Sequence, residues 1–207
     1  GAEPTEGGMV GANPGGARFL RYADVRRNLL SIEMVSSAAD GAVLNLGRDC
    51  WKQNDSVDLK QLAVGTGGAM GIVTAATLAL QPRPAHAVTA LLALGDVMAL
   101  DRLLVTFGRD WGMLLAAFGG MSPAAYEAAL HHVPRLRRPF PVDAGHQYFL
   151  LLELSAGAAF DGAMLEDALA GTISPFMEGD GAPVLGVAVD HHDGLWAVYL
   201  HFAQKMS

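Results

Sequence analysis

The sequence predicts an α+β protein of two domains, residues 1–84 and 85–207, on three observations. Two glycine-rich blocks, GGMVGANPGGARFLRYADVRRNLLSIEMV from Gly7 and DLKQLAVGTGGAMGIVTAATLALQPRP from Asp58, set glycines directly beside apolar runs. That arrangement suits a backbone that must pass close to a flat polar group without side chains intervening. Between the blocks, an Asp40-Gly41 dipeptide separates two apolar segments, the signature of a hairpin turn that needs positive φ. Beyond Pro82–Ala85, which contains two helix- and strand-breaking prolines, segments of strand and helix period alternate.

Each element follows from its residues. Residues 30–36 and 42–46 form the two arms of the hairpin. Asp58–Val64 reads as a short helix capped by Ser56 or Asp58, and Gly71–Leu80 as a long strand stopped by Pro82 and Pro84. After the boundary, Ala87–Leu94 reads as a strand, Asp96–Arg109 as a helix, and Met113–Phe118 as a strand. The helix carries Val97, Leu100, Leu103 and Leu104 on one face. Ser122 caps a helix that has Pro123 at its first position and runs to His132. A second unit follows: strand Gln147–Ser155, helix Phe160–Ala170, strand Ala182–Asp190. Two β-α-β units in succession predict a ferredoxin-like sandwich, with helices on one face of an antiparallel sheet. Leu195–Lys205 reads as a final helix.

The glycine blocks do not match the common nucleotide motifs. Gly65, Gly67 and Gly71 miss the dinucleotide fingerprint because Met70 stands where the third glycine belongs, and no acid follows about twenty residues later. A phosphate loop needs a lysine after its last glycine, but Ile72 follows Gly71 and Ala17 follows Gly16.

The order GGMVGANPGGARFLRY, SIEMVSSAADGAVLNL, KQNDSVDLKQLAVGTGGAMGIVTAATLALQPRP resembles, in register over residues 4–84, the second half of a flavin domain. The family is the FAD-linked oxidases, with the flavin fold of vanillyl-alcohol oxidase and p-cresol methylhydroxylase (PCMH-type). Its D-lactate, glycolate and D-2-hydroxyglutarate dehydrogenase branch is the most similar. The resemblance implies the C-terminal half of an FAD-binding domain over 1–84 and a partial ferredoxin-like cap, or substrate, domain over 85–207. It implies FAD as cofactor, with Asn13, Gly15, Gly16, Thr66, Gly71 and Ile72 approaching it. The reaction it implies is oxidation of a small 2-hydroxy acid, with hydride passing to the flavin.

Several positions depart from the family pattern. Pro14 removes an N–H donor ahead of the glycine pair. Gly67 stands where a glutamate is usual, and Gly119 and Ser122 stand where acids follow the residue equivalent to Phe118. The family's pyrophosphate-holding Pro-Arg-Gly-Gly-type loop and its His-rich metal and substrate segment find no counterpart in these 207 residues. The expectation is therefore a fragment or truncated member of such an oxidoreductase, with no catalytic residue assigned. The alternatives are a non-catalytic homologue acting as a binding or assembly module, or a subunit completed by a partner chain or by a second copy of itself.

Composition narrows the partners. A hydrophobic content of 51% can fill a substantial core. A net charge of −7 and a pI of about 5.4 argue against nucleic acid or an anionic membrane. The small basic cluster Arg135, Arg137 and Arg138 reads as a solvated loop. No apolar stretch reaches the roughly twenty residues of a membrane span. The single cysteine, Cys50, excludes an intrachain disulfide and reads as a buried small hydrophobe in a reducing, cytoplasmic setting. Asp190, His191, His192 and Asp193 could bind a metal, but neighbours on a strand point to opposite faces, so no metal site is assigned. His131 and His132 suit the end of a helix, and His86 and His146, which flank strands, are expected to face water.

Overall fold

The computed structural model describes residues 4–38, 40–54, 56–132, 138–141, 145–190 and 195. The chain divides into two compact units, Gly1–Gln81 and Pro82–Ser207.

The first unit opens with helix α1 (Glu6–Ala12), capped by Thr5, whose Oγ1 accepts a hydrogen bond from the Gly8 N–H at 3.1 Å. Three of its seven residues are glycine, a poor choice for helix stability alone. Packing supplies the reason: a Cβ on Gly7 would lie 2.8 Å from the Val73 carbonyl oxygen, so only glycine lets α1 lie this close to the sheet. Asn13 ends the helix at φ 48° and ψ 53°, the left-handed conformation that asparagine tolerates. Two single-turn helices follow, α2 (Phe19–Tyr22) and α3 (Val25–Asn28). Asp24 caps α3 by accepting from the Arg27 N–H at 3.0 Å.

The sheet of this unit has the order β2-β1-β3, all antiparallel, from β1 (Leu29–Ser36), β2 (Val43–Gly47) and β3 (Gly71–Leu78). The register sets Met34 between Leu44 and Val73. That row lies on the face where Ile32, Met34, Val10, Ala63 and Val64 form the buried core. The segment read as a helix at 58–64 tightens to a single 3-10 turn, Leu59–Leu62, which Asp58 does not cap. Asp58 instead holds the buried Lys60 ammonium, with both carboxylate oxygens at 2.7 Å.

The second unit contains β4 (His86–Leu94), α4 (Ala99–Trp111), β5 (Leu115–Met121), α5 (Pro123–His132), β6 (Tyr148–Ala156), α6 (Gly162–Ile173) and β7 (Val184–Asp190). The sheet order is β5-β6-β4-β7, with every neighbouring pair antiparallel. Because β4 and β5 both run against β6, they are parallel to each other with β6 between them, the split β-α-β arrangement of a ferredoxin-like fold. Val88, Ala90, Leu92 and Leu94 of β4 and the alternate residues of β6 from Leu150 to Ala156 pack under α4 and α6. Trp111 Nε1 joins those helices by donating to Thr172 Oγ1 at 2.9 Å. The opposite face is covered as well, since Tyr126 of α5 stacks on Phe149 at 4.2 Å. This two-sided burial explains why both central strands read as continuous apolar runs instead of alternating ones.

Several sequence expectations need correction. The buried face of α4 is Ala99, Leu103 and Phe107, whereas Val97 and Leu104 are about 40% exposed. The Asp96–Met98 segment is a turn, so the helix starts three residues late and Val97 falls outside it, while Leu100 and Leu103 do pack on the core. Met113 precedes β5 and is exposed. Cys50 is exposed, because it sits in the irregular loop after β2 and not in a core. His146 does not face water: both ring nitrogens are buried without a hydrogen-bond partner, and the ring is edge-on to Phe140 and Phe149. The expected helix at 195–205, except for Leu195, lies outside the described residues, as do Arg135, Arg137 and His191–Asp193.

Candidate functional site

A cavity of about 760 Å³ in the first unit is an open groove between α1 and the start of β3. Its walls are Thr5, Glu6, Gly7, Gly8, Gly11 and Ala12 on one side and Gly67, Gly68 and Gly71–Thr74 on the other, with Ala63 also in the lining. Backbone hydrogen bonds fasten the two sides together. Gly65 N–H donates to Val10 O at 3.0 Å and Gly67 N–H to Gly11 O at 2.9 Å, which satisfies carbonyls left open at the end of α1.

The loop between them turns through conformations that side chains disfavour: φ is 75° at Gly65, 61° at Gly67, 89° at Gly68 and 147° at Gly71. At Gly71 glycine is also required by space. A Cβ there would overlap the Val35 carbonyl oxygen and lie 2.7 Å from Met34 Cε. The result is a wall of bare backbone with few polar side chains. The Thr74 hydroxyl donates to Glu33 Oε1 at 2.6 Å, and the Thr5 hydroxyl is engaged as the α1 cap, which leaves Glu6 as the one charged residue of the lining among the described residues.

Of the six residues expected to approach a cofactor, Gly71 and Ile72 line this groove, and Ile72 is 72% exposed. The other four lie outside its lining. Asn13 Oδ1 accepts from the Arg26 N–H at 2.9 Å and its Nδ2 donates to Asp24 Oδ2 at 3.1 Å, so the amide ties the end of α1 to the start of α3. Those contacts hold the Asp24 carboxyl below its ordinary range, through the Arg27 N–H first and the Asn13 amide second. Gly15 bridges to Asp24, Gly16 has open space where a Cβ would stand, and the Thr66 hydroxyl donates to Ala63 O at 2.9 Å. Gly7, Gly8 and Gly11, not singled out from the sequence, form the opposite wall. Their signal is glycine recurring on one side of a capped helix, where only a close approach repays the cost.

No protein-family model matches the chain. Individual proteins do. A probable mitochondrial D-2-hydroxyglutarate dehydrogenase of Oryza sativa subsp. indica is 29% identical over 192 residues, covering 93% of this chain. Mitochondrial D-2-hydroxyglutarate dehydrogenases of Rattus norvegicus and Danio rerio are 32% and 33% identical over 78% and 84% of it. The chain's homologues are D-2-hydroxyglutarate dehydrogenases, of the FAD-linked oxidase family. The chain spans about a third of the length of these relatives. In fold it is similar to alkyldihydroxyacetonephosphate synthase, with a TM-score of 0.64 at 13% identity over 97% of this chain and 37% of that one.

The relatives overturn the cytoplasmic expectation, since the rice and rat homologues are named as mitochondrial. A lone cysteine excludes an intrachain disulfide but does not distinguish one thiol-reducing compartment from another. Among the described residues no helix is long and apolar enough to cross a membrane, and no group of three or more His, Cys, Asp or Glu is placed to hold a metal.

Proposed function

We propose that this chain is part of an FAD-dependent oxidoreductase acting on a 2-hydroxy acid of the D-lactate, glycolate or D-2-hydroxyglutarate type. In this reading residues 1–84 supply one half of the flavin domain and residues 85–207 part of the substrate-side cap. The observation that carries it is the glycine-walled groove, in a chain whose homologues are D-2-hydroxyglutarate dehydrogenases.

The groove suits an extended planar cofactor in shape. Gly67 and Gly68 leave space where a Cβ would project, Gly71 lets β3 close on β1, and the volume suits a ligand of that size. Gly7, Gly8 and Gly11 would border the cofactor from α1, and Gly67–Thr74 from the sheet side. FAD, when bound, supplies the hydride-accepting chemistry. The chain's own part is to bind and orient. The wall is rigid because each turn is closed by a backbone hydrogen bond, and the Ile72 side chain provides apolar surface that keeps water off a ring laid against it. Asn13 acts as a positioning residue, setting the angle at which α1 meets α3.

A non-catalytic binding or assembly module is the competing reading. It is favoured by the lone lining carboxylate, Glu6, and by the engagement of the Asn13 amide within the fold. A visible absorption spectrum of the chain after incubation with FAD and gel filtration separates the two. Co-eluting yellow colour supports the oxidoreductase, and turnover of 2-hydroxy acids by that fraction is its direct test. Colourless protein from the chain and from any longer protein that contains it favours the module.

A further inference from the structure

We propose that a second cavity of the first unit, sharing no lining residue with the glycine groove, binds a small polyanion carrying at least two negative charges. The cavity measures about 390 Å³, and Arg26, Arg27, Trp51, Asp58, Lys60 and Gln61 are among its walls.

Positive charge outweighs negative in this lining. Arg26 is half-buried, yet its guanidinium bonds only neutral oxygens: Gln61 O at 2.9 Å, Gln61 Oε1 at 3.0 Å and Val64 O at 2.8 Å. Those bonds occupy three of its five N–H donors and none reaches a carboxylate; Asp24, outside the cavity lining, feels its charge without bonding it. Lys60 is 4% exposed and held by Asp58 alone, at 2.7 Å to each oxygen. Gln61 Nε2 also donates to Asp58 Oδ2 at 3.2 Å, so that one acid is fully committed. Arg27 enters the fold through its backbone N–H, which donates to Asp24, and its guanidinium has no hydrogen-bond or ion-pair partner among the described residues. Among the described lining residues, three cationic groups therefore face one carboxylate, in a chain of net charge −7.

A concave cluster of one sign focuses potential and concentrates counter-ions, and a pocket of this volume holds a small molecule. Arg26 and Lys60 are fixed by their hydrogen bonds, so their charge is preorganised, while the Arg27 guanidinium is free to close on a carboxylate or phosphate. Trp51, 67% exposed at this cavity, offers an indole face and a local optical reporter.

The test is calorimetric titration of the whole chain with citrate and, separately, with pyrophosphate at low ionic strength, paralleled by tryptophan fluorescence. The expected result is saturable binding of at least one of them, weakened about tenfold or more in Arg27→Glu, as for reversing one charge at short range in a partly screened site. Trp51→Phe should remove the fluorescence change and leave the calorimetric affinity within about threefold, because the charge is unaltered. Citrate binding alone assigns a polycarboxylate site and pyrophosphate binding alone a polyphosphate site. Circular dichroism of Arg27→Glu checks that the fold is kept. No saturable heat with either anion, or an affinity unmoved by Arg27→Glu, overturns the proposal. Because the linings are separate, loss of flavin binding at the glycine groove leaves the expectation unchanged.

Discussion

Replacing Gly71 by alanine tests the glycine groove at its most constrained point. Gly71 sits at φ 147°, a region disfavoured for any side chain, and a Cβ there would overlap the Val35 carbonyl oxygen and crowd Met34 Cε at 2.7 Å. The backbone term is about 1–3 kcal/mol. Relieving the overlap requires β3 to move away from β1, which adds about 1–3 kcal/mol of overpacking. The expected loss is roughly 2–6 kcal/mol, about 4 at the centre of that range and a large part of what a unit of this size has available. Gly67→Ala is the control: its φ is 61° but nothing lies within 4 Å of the added methyl, so only the left-handed penalty of about 1–2 kcal/mol applies. Hydrogen exchange of peptides covering 29–36, read against urea, reports the stability of this sheet alone. Gly71→Ala should fall below Gly67→Ala by about 2 kcal/mol or more; two variants within about 0.5 kcal/mol of each other would refute the steric argument.

Asn13→Ala removes hydrogen bonds to Asp24 and the Arg26 N–H and puts alanine, which tolerates the left-handed region less well than asparagine, at φ 48°, so it should cost about 2–3 kcal/mol, with Asn13→Gly recovering the backbone share in urea unfolding. Asp24 has a depressed pKa, so its contribution is present above its unfolded value of 3.8 and is lost as pH falls through the lower folded value; Asn13→Ala should flatten that acid limb of a stability–pH profile. Trp111→Phe should cost about 1 kcal/mol for the lost bond to Thr172, and Thr172→Val in the same background little more, checked by a double-mutant cycle. Burial pushes the Tyr126 hydroxyl above its ordinary value of 10, against the opposing effects of Phe140 and Arg138. Its contribution is therefore full below pH 10 and lost as pH rises through the raised value, so wild type should weaken at alkaline pH relative to Tyr126→Phe in denaturant titrations.

The parts of the fold legible in the sequence are those with a local physical signal. The Asp40-Gly41 turn, the Ser122-Pro123 start of α5 and the apolar period of the central strands each announce themselves within a few residues. The start of α4 is hard to read because Asp96-Val97-Met98 has ordinary helix propensity, while the turn is closed locally, with Asp96 Oδ1 accepting from the Met98 N–H at 2.9 Å and Asp96 O from the Ala99 N–H at 3.2 Å. For His146, flanking a strand says nothing about the aromatic rings packed edge-on to it, Phe140 from the loop before β6 and Phe149 from β6 itself. At the candidate site, the glycines of the 65–71 loop were visible as a cluster. The wall from Gly7, Gly8 and Gly11 depends on α1 lying against β3, a long-range contact that spacing alone does not reveal. Asn13 illustrates the converse, since a small polar residue among glycines suggests a ligand contact while the structure uses its amide to join two helices.

Hydrogen exchange of the chain with and without millimolar FAD, resolved to peptides, tests the central claim most directly. Protection concentrated in residues 5–12 and 67–74, and lost in Ile72→Asp, is the result expected of a flavin wall. Unchanged exchange in both segments, or protection found only elsewhere in the chain, would contradict it.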